Sequence, residues 1–312
     1  MLTVGLIGAG RIGRVHASTI VQDEGSQLVA VADSVDENAK NLAKLYKVNP
    51  RSVDAIFEDN SIEAILIASS TDTHSDFIEK ASKAGKAILC EKPVDLSLAR
   101  AKRCLENTKS NEHSIMMGFN RRFDPNFVAL KNALDGGEIG TAELLSITSF
   151  DPAPPPIDYV KVSGGIFKDM MIHDFDMANF LYGELPKSIF VAASAIVDKK
   201  IGALGDYDTA VATLKYTDGR LAVIKNSRRA TYGYDQRIEV LGSKGLLQVQ
   251  NMVENCIVKS TEMGVESSKP EYFFLERYKS AYQNEWAAFV TAVKTKTPMP
   301  VSLSDGIAAL AI

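Results

Sequence analysis

The stretch GGIFKDMMIHDFDM, residues 164–177, places a Gly pair, three Asp and one His within fourteen residues. Asp169 and His173 stand four apart, so on a helix they share one face. Three chemistries fit such a pair. A histidine whose ordinary pKa lies near ~6.5 exchanges a proton at neutral pH, and a neighbouring carboxylate steadies the imidazolium that forms. Asp169, His173 and Asp176 could also offer ligands to a metal, although no second His or Cys motif lies close by to complete the set. The third reading is a helix whose polar residues are surface trim, with Met170, Met171, Phe175 and Met177 packed beneath.

A second stretch, GAGRIG, carries Gly8, Gly10 and Gly13 at G-x-G-x-x-G spacing, with Arg11 and Ile12 between them. It follows an apolar strand pattern directly and opens a helical one. In that setting the first Gly permits a tight turn, the second lets backbone approach a pyrophosphate, and the third lets helix and strand pack closely. Asp33, twenty residues past Gly13, ends the second strand. Its carboxylate would accept from the ribose hydroxyls and repel a 2′-phosphate, and no Arg or Lys lies in residues 34–38, so NAD rather than NADP is expected. The competing reading has Asp33 cap the next helix.

These groups need elements to hold them. LTVGLIG (2–8), QLVAVAD (27–33), EAILIAS (63–69), KAILCE (86–91) and SIMMGF (114–119) are continuous apolar runs of strand length, as in strands buried on both faces. Helical patterns such as 34–46 and 71–86 separate them, which predicts an α/β fold with an N-terminal doubly wound parallel Rossmann domain over residues 1–120. After that the pattern changes. A helix stopped by Gly-Gly (125–140), a strand (141–150) and a proline-rich loop, DPAPPPIDY (151–159), lead to the Asp169–His173 stretch. From 188 onward, strand-like runs alternate with turns at Asp218-Gly219 and Ser243-Lys244-Gly245. Residues 121–312 are therefore expected to form an α+β domain with a large, mostly antiparallel sheet.

Composition narrows the field. A net charge of −4 offers no field to hold nucleic acid, and no apolar run approaches the ~18–20 residues of a membrane span. Cys90, Cys104 and Cys256 are odd in number and widely spaced, which fits a reducing, cytoplasmic setting better than a disulfide framework or structural zinc. The N-terminus enters the first strand at once, without a signal-peptide pattern.

A third stretch, CEKPV (90–94), ends a strand in Glu-Lys-Pro. With GAGRIG, the Gly-Gly pair and D-x-x-x-H-D, it resembles the glucose-fructose oxidoreductase and inositol dehydrogenase (Gfo/Idh/MocA) family over essentially the whole chain. GFNRRFDPNF (118–127), DPAPPPIDYVKVSGG (151–165), IHDFDM (172–177) and NSRRATYGYDQRIEVLGSKG (226–245) are similar to its inositol 2-dehydrogenase branch.

The resemblance implies an NAD-dependent oxidation of a cyclic polyol, inositol to inosose, without a metal. It makes Lys92 the active-site lysine, where residues alone would allow a solvated lysine at a strand end, and brings Lys92, Asp169 and His173 together, with His173 as general base. Pro93 invites a cis peptide bond after Lys92. Glu91 helps position Lys92 and the cofactor. Ser69, Thr71 and His74 lie along the nicotinamide half, and Gly164 and Gly165 allow close approach to substrate. Asn120, Arg121, Asp151, Tyr232 and Tyr234 are implied as hydrogen-bonding partners of the polyol. The bland alternatives are an interdomain salt bridge for Arg121 or Arg122, and a packing surface for the tyrosines. Phe150 stands where such relatives often carry Arg, which keeps a pyranose or other sugar dehydrogenase open as an alternative; a non-catalytic NAD-binding regulator is the rival outside enzymes. The family also implies a homo-oligomer, dimer or tetramer, and about one more helix and strand beyond Ile312.

Overall fold

The computed structural model describes every residue from Met1 to Ile312. It divides into two compact units, one of Met1–Phe123 with Ala281–Ala311, the other of Asp124–Ser280 with Ile312.

The first unit is built on six parallel strands: β1 (Leu2–Ile7), β2 (Ser26–Ala32), β3 (Asn49–Pro50), β4 (Ala64–Ile67), β5 (Ala87–Glu91) and β6 (Ile115–Gly118). Their order, β3-β2-β1-β4-β5-β6, is the doubly wound arrangement, with the switch point between β1 and β4. All residues of β4, β5 and β6 are buried, which is why those runs read as unbroken hydrophobics rather than alternating ones.

A boundary at residues 120 and 121 would assign the last helices to the second domain, whereas Ala281–Ala311 belongs to the first unit. Trp286 Nε1 donates to Ser26 Oγ at 2.9 Å, and Met117 N donates to Val301 O at 3.0 Å. A Met116–Ser302 bridge covers the outer edge of β6, which would otherwise present unpaired backbone groups. A linear cut misses this because the partners lie far apart in sequence.

The second unit holds β7 (Ala142–Phe150), β8 (Ser188–Ser194), β9 (Thr209–Lys215), β10 (Leu221–Ser227), β11 (Asp235–Gly242) and β12 (Gly245–Val249), ordered β12-β11-β7-β10-β9-β8. Only β7 and β10 run parallel. Both predicted turns are present, with Gly219 at φ +95. Alternation in β9, β10 and β11 puts Ala212, Ile224 and Val240 on the buried face and Val211, Leu221 and Leu241 on the exposed one. A small exposed hairpin, β13 (Val258–Thr261) and β14 (Gly264–Ser267), follows.

Two local features depart from the sequence expectation. The proline-rich loop ends at Pro156, and residues expected to continue it form a helix, Ile157–Ser163, closed by Gly164 in the left-handed region. The single helix expected around Asp169 is two segments: a π-helical turn, Phe167–Met171, running into an α-helix, Ile172–Tyr182. Eight residues of that α-helix are buried, Asp174 and Asp176 among them, so it has no solvent face of ordinary width. No helix is long and apolar enough to cross a membrane.

Candidate active site

In the first unit the site begins where β1 ends. Gly8 has φ +103, and a Cβ there would collide with Ala68 O; one on Gly13 would collide with Gly8 O. Both glycines are thus required by the chain's own packing. Gly10 is different: a Cβ at this exposed position would meet nothing within 4 Å. Nothing in the protein demands its smallness, so the demand fits a partner that approaches the backbone here. Gly10 is the N-cap of the Arg11–Gln22 helix, whose first turn has no capping side chain and no acidic residue. Its amide donors and positive dipole end suit the pyrophosphate of a dinucleotide.

Asp33 does not cap the following helix, whose N-cap is Val35. Its Oδ2 accepts from Ala9 N at 2.6 Å and its Oδ1 from Val35 N at 2.8 Å. These bonds tie the glycine loop to the end of β2 and orient the carboxylate; each oxygen keeps a further lone pair for a ribose hydroxyl.

Lys92 follows β5, and the Lys92–Pro93 peptide is cis. The neighbours of Lys92 are fixed from two sides. Glu91 Oε1 lies 2.7 Å from His16 Nε2, and Pro93 O lies 2.8 Å from His74 Nδ1. His74 Nε2 lies 3.1 Å from Ser69 O, so this buried ring clamps the loop after β4 to the cis-proline turn. Burial pulls its pKa down against the two carbonyl contacts that favour the charged ring. His74 is therefore a buried framework residue joining these two loops and not an exposed side chain. Ser69 and Thr71 are half-buried; Ser69 Oγ meets Thr73 Oγ1 at 2.7 Å, and Thr71 opens the short 3₁₀ turn. Asn120, just beyond β6, is buried with its Nδ2 lacking an acceptor in the chain, as suits a group waiting for a ligand oxygen. Arg121 is buried, while Arg122 pairs with Asp305 at 3.2 Å inside the same unit.

Behind Glu91 lies a carboxyl that sequence reading passed over. Glu285 is 0% exposed, and neither of its oxygens meets a hydrogen-bonding partner. Burial, reinforced by the nearby Glu91 charge, raises its pKa well above the ordinary 4.5. The folded chain therefore keeps a proton that the unfolded chain releases, so stability falls as pH rises past the ordinary glutamate range. Glu285→Gln removes that penalty. The variant is expected to match wild type near the ordinary glutamate pKa and to gain about 1.4 kcal/mol per pH unit above it while the native carboxyl stays protonated. Thermal midpoints measured across pH check this; a gap that does not widen with pH contradicts it.

In the second unit the π-helical turn presents Asp169 and the α-helix presents half-buried His173. Such turns concentrate at functional sites because they re-aim side chains that a regular helix would hold in register. Asp169 Oδ1 accepts from Tyr159 Oη at 2.7 Å, and its Oδ2 faces the Arg228 guanidinium at 3.3 and 3.4 Å. Next to His173, Asp174 anchors the segment: Ser149 Oγ donates to its Oδ1 at 2.6 Å and Asn226 Nδ2 to its Oδ2 at 2.7 Å. Hydrogen bonds to a buried charge contribute about 1.5–3 kcal/mol each, enough to fix the helix start against the sheet.

Other expectations change. The close approach at Gly165 is to Asp206, whose Oδ1 lies 2.6 Å from where a Cβ would stand, so packing within the unit explains this glycine. Tyr234 is buried in edge-to-face contact with Phe273 and Tyr278, which makes it a packing residue. Tyr232 is half-exposed and donates to Asp235 Oδ2 at 2.6 Å; burial and that carboxylate push its phenol up to about 12, so it is a hydrogen-bonding group and not a proton-transfer group at neutral pH. The backbone of Asp151 is fixed by Ser227 O and Ala230 N. No group of three or more His, Cys, Asp or Glu side chains converges as a metal site. Arg228, Tyr159 and Glu285 are the residues that sequence reading left without a role. For Arg228 a signal existed: Ala222, Ile224, Asn226 and Arg228 continue one inward row at strand spacing.

Residues 2–119 match the model of an oxidoreductase family with an NAD-binding Rossmann fold, and residues 127–248 match the GFO/IDH/MocA C-terminal domain. The chain belongs to the Gfo/Idh/MocA oxidoreductase family. Among family members, it is 48% identical to an inositol 2-dehydrogenase of Rhizobium meliloti over 99% of this chain and 93% of the relative. A crystal structure of a myo-inositol dehydrogenase from Corynebacterium glutamicum superposes with a TM-score of 0.96 at 40% identity, covering 100% of this chain and 94% of that one. A myo-inositol dehydrogenase from Lactobacillus casei, solved in complex with NAD(H) and myo-inositol, gives 0.89 at 27% identity, covering 99% and 91%.

Proposed function

We propose that the chain is an NAD-dependent inositol 2-dehydrogenase, which removes hydride from a ring carbon of inositol and a proton from the hydroxyl on that carbon. The observation that carries this reading is the full-length likeness to inositol dehydrogenases, one of them solved with cofactor and myo-inositol. NAD, when bound, accepts the hydride. Gly8, Gly10 and Gly13, with the amides of Arg11 and Ile12, receive the pyrophosphate, and Asp33 orients the ribose and disfavours a 2′-phosphate. The ammonium of Lys92 donates to the reacting oxygen and stabilises the negative charge that develops there. His173 takes the hydroxyl proton, and Asp169 accepts from a substrate hydroxyl. Asn120, Arg121, Asp151 and Tyr232 supply further hydrogen bonds to the polyol.

The test is reduction of NAD by the purified protein with myo-, scyllo- and D-chiro-inositol beside glucose and xylose. Turnover with an inositol supports the reading; turnover with the sugars alone moves the chain to a sugar dehydrogenase.

We also read the chain as a cytoplasmic homo-oligomer with no nucleic-acid or membrane partner. Phe190, 72% exposed, with Val211, Leu221 and Leu241 leaves apolar groups on the open sheet face, which suits burial against a second copy. Light scattering is expected to give a multiple of 33.9 kDa; a monomer mass at micromolar concentration excludes assembly. The three free cysteines, two of them buried, fit a reducing compartment.

A further inference from the structure

Arg228 stands one residue beyond β10, at the end of the inward row Ala222, Ile224, Asn226, Arg228. It is 1% exposed, a burial arginine tolerates only when its charge is matched. The carboxylate it faces is Asp169 Oδ2, 3.3 Å from Nη2 and 3.4 Å from Nη1. Two residues earlier on the row, Asn226 holds Asp174. One strand therefore grips the helical segment at two carboxylates, Asp169 and Asp174, that bracket His173 in sequence.

The two oxygens of Asp169 are treated differently. Oδ2 faces a buried guanidinium that substrate cannot displace. Oδ1 accepts from Tyr159, 42% exposed on the short helix after the proline loop, so this oxygen is the one that can exchange its donor for a substrate hydroxyl. Both donors favour the carboxylate over the carboxylic acid, and a carboxylate so held is a poor proton acceptor. Lys168 and His173 are the other titratable groups on its own segment up to His173, and Asp206 packs against Gly165 just before it.

We propose that Arg228 is a positioning residue for the reaction: it holds Asp169 ionised and oriented as a fixed acceptor for a substrate hydroxyl, so that His173 alone takes the proton. Two titratable groups are thereby pushed into separate roles by their surroundings. This rests on the reading of Asp169 and His173 as substrate-contacting groups given under Proposed function.

Arg228→Gln and Arg228→Lys test it. With Arg228→Gln, kcat/KM for the inositol is expected to fall about 10- to 100-fold at neutral pH, with NAD affinity unchanged. The acid limb of its pH profile, set by His173, should gain a second and steeper fall on its acid side, because Asp169 now protonates more readily. Arg228→Lys keeps the charge without the two-nitrogen fork and should recover most of the loss and return the limb towards wild type. A second readout needs no turnover: the thermal-midpoint gap between wild type and Arg228→Gln should be widest at neutral pH and close on acidification, as the uncompensated carboxylate takes a proton. An acid limb without that second fall or a pH-independent gap overturns the proposal. If Arg228→Gln does not fold, the double variant with Asp169→Asn must restore folding, and its failure to do so overturns the proposal equally. A wild type inactive on every inositol would sink the functional reading, while the midpoint gap still decides the role of Arg228.

Discussion

Lys92→Ala is expected to lower kcat with inositol about 10³-fold while NAD affinity changes less than tenfold. As hydride leaves carbon and the proton leaves oxygen, negative charge gathers on that oxygen before the carbonyl is complete. A cationic donor placed there beforehand stabilises the transition state without reorganisation. The structure shows how the backbone that carries this lysine is held. Its backbone lies between Glu91, held by His16, and Pro93, held by His74, at the carboxyl end of a strand buried throughout. Arginine should not substitute, because its planar fork spreads the charge that Lys92 concentrates on one nitrogen. Steady-state kinetics with a separate NAD titration check the split; a large loss of NAD binding with kcat preserved would make Lys92 a cofactor anchor instead.

His173→Ala should cost about 10²- to 10⁴-fold in kcat and change the shape of its pH dependence. The base works unprotonated, so the wild-type rate falls as pH drops through the histidine range. The alanine variant has no such group; its residual rate should pass that range without bending and climb at alkaline pH, where hydroxide takes the proton. Near-native turnover across neutral pH would remove His173 from the mechanism. Together with the Arg228 result, this profile separates the group that moves the proton from the group that holds the substrate.

The nucleotide half was largely legible because its logic is local. Gly8, Gly13 and Asp33 lie within one strand-turn-helix-strand unit, and the spacing that marks them in sequence is the spacing that packs them in space. The continuous apolar runs gave the parallel sheet for the same reason, since its strands β4, β5 and β6 are buried on both faces. In the second unit the local pattern singled out only one compact stretch for chemistry, the one carrying Asp169 and His173. Arg228 escaped because its partner lies 59 residues away on another element. Tyr234, a hydroxyl-bearing residue on a turn in sequence, is enclosed by Phe273 and Tyr278 from a segment that nothing in the local pattern pairs with it. The π-helical turn has no composition of its own: FKDMM would sit in an α-helix equally well, and tertiary contacts decide. The tail helices were misassigned for the same reason as Arg228, because Trp286 and Ser26 meet across most of the chain.

The most direct measurement is hydride transfer itself. The protein is mixed with NAD and myo-inositol deuterated at the carbon bearing the reacting hydroxyl, and the nicotinamide product is analysed by mass. The account predicts deuterium on the reduced nicotinamide ring and a slower turnover than with unlabelled inositol. Bound NAD that is never reduced by any inositol, or reduced nicotinamide without the label, would contradict it.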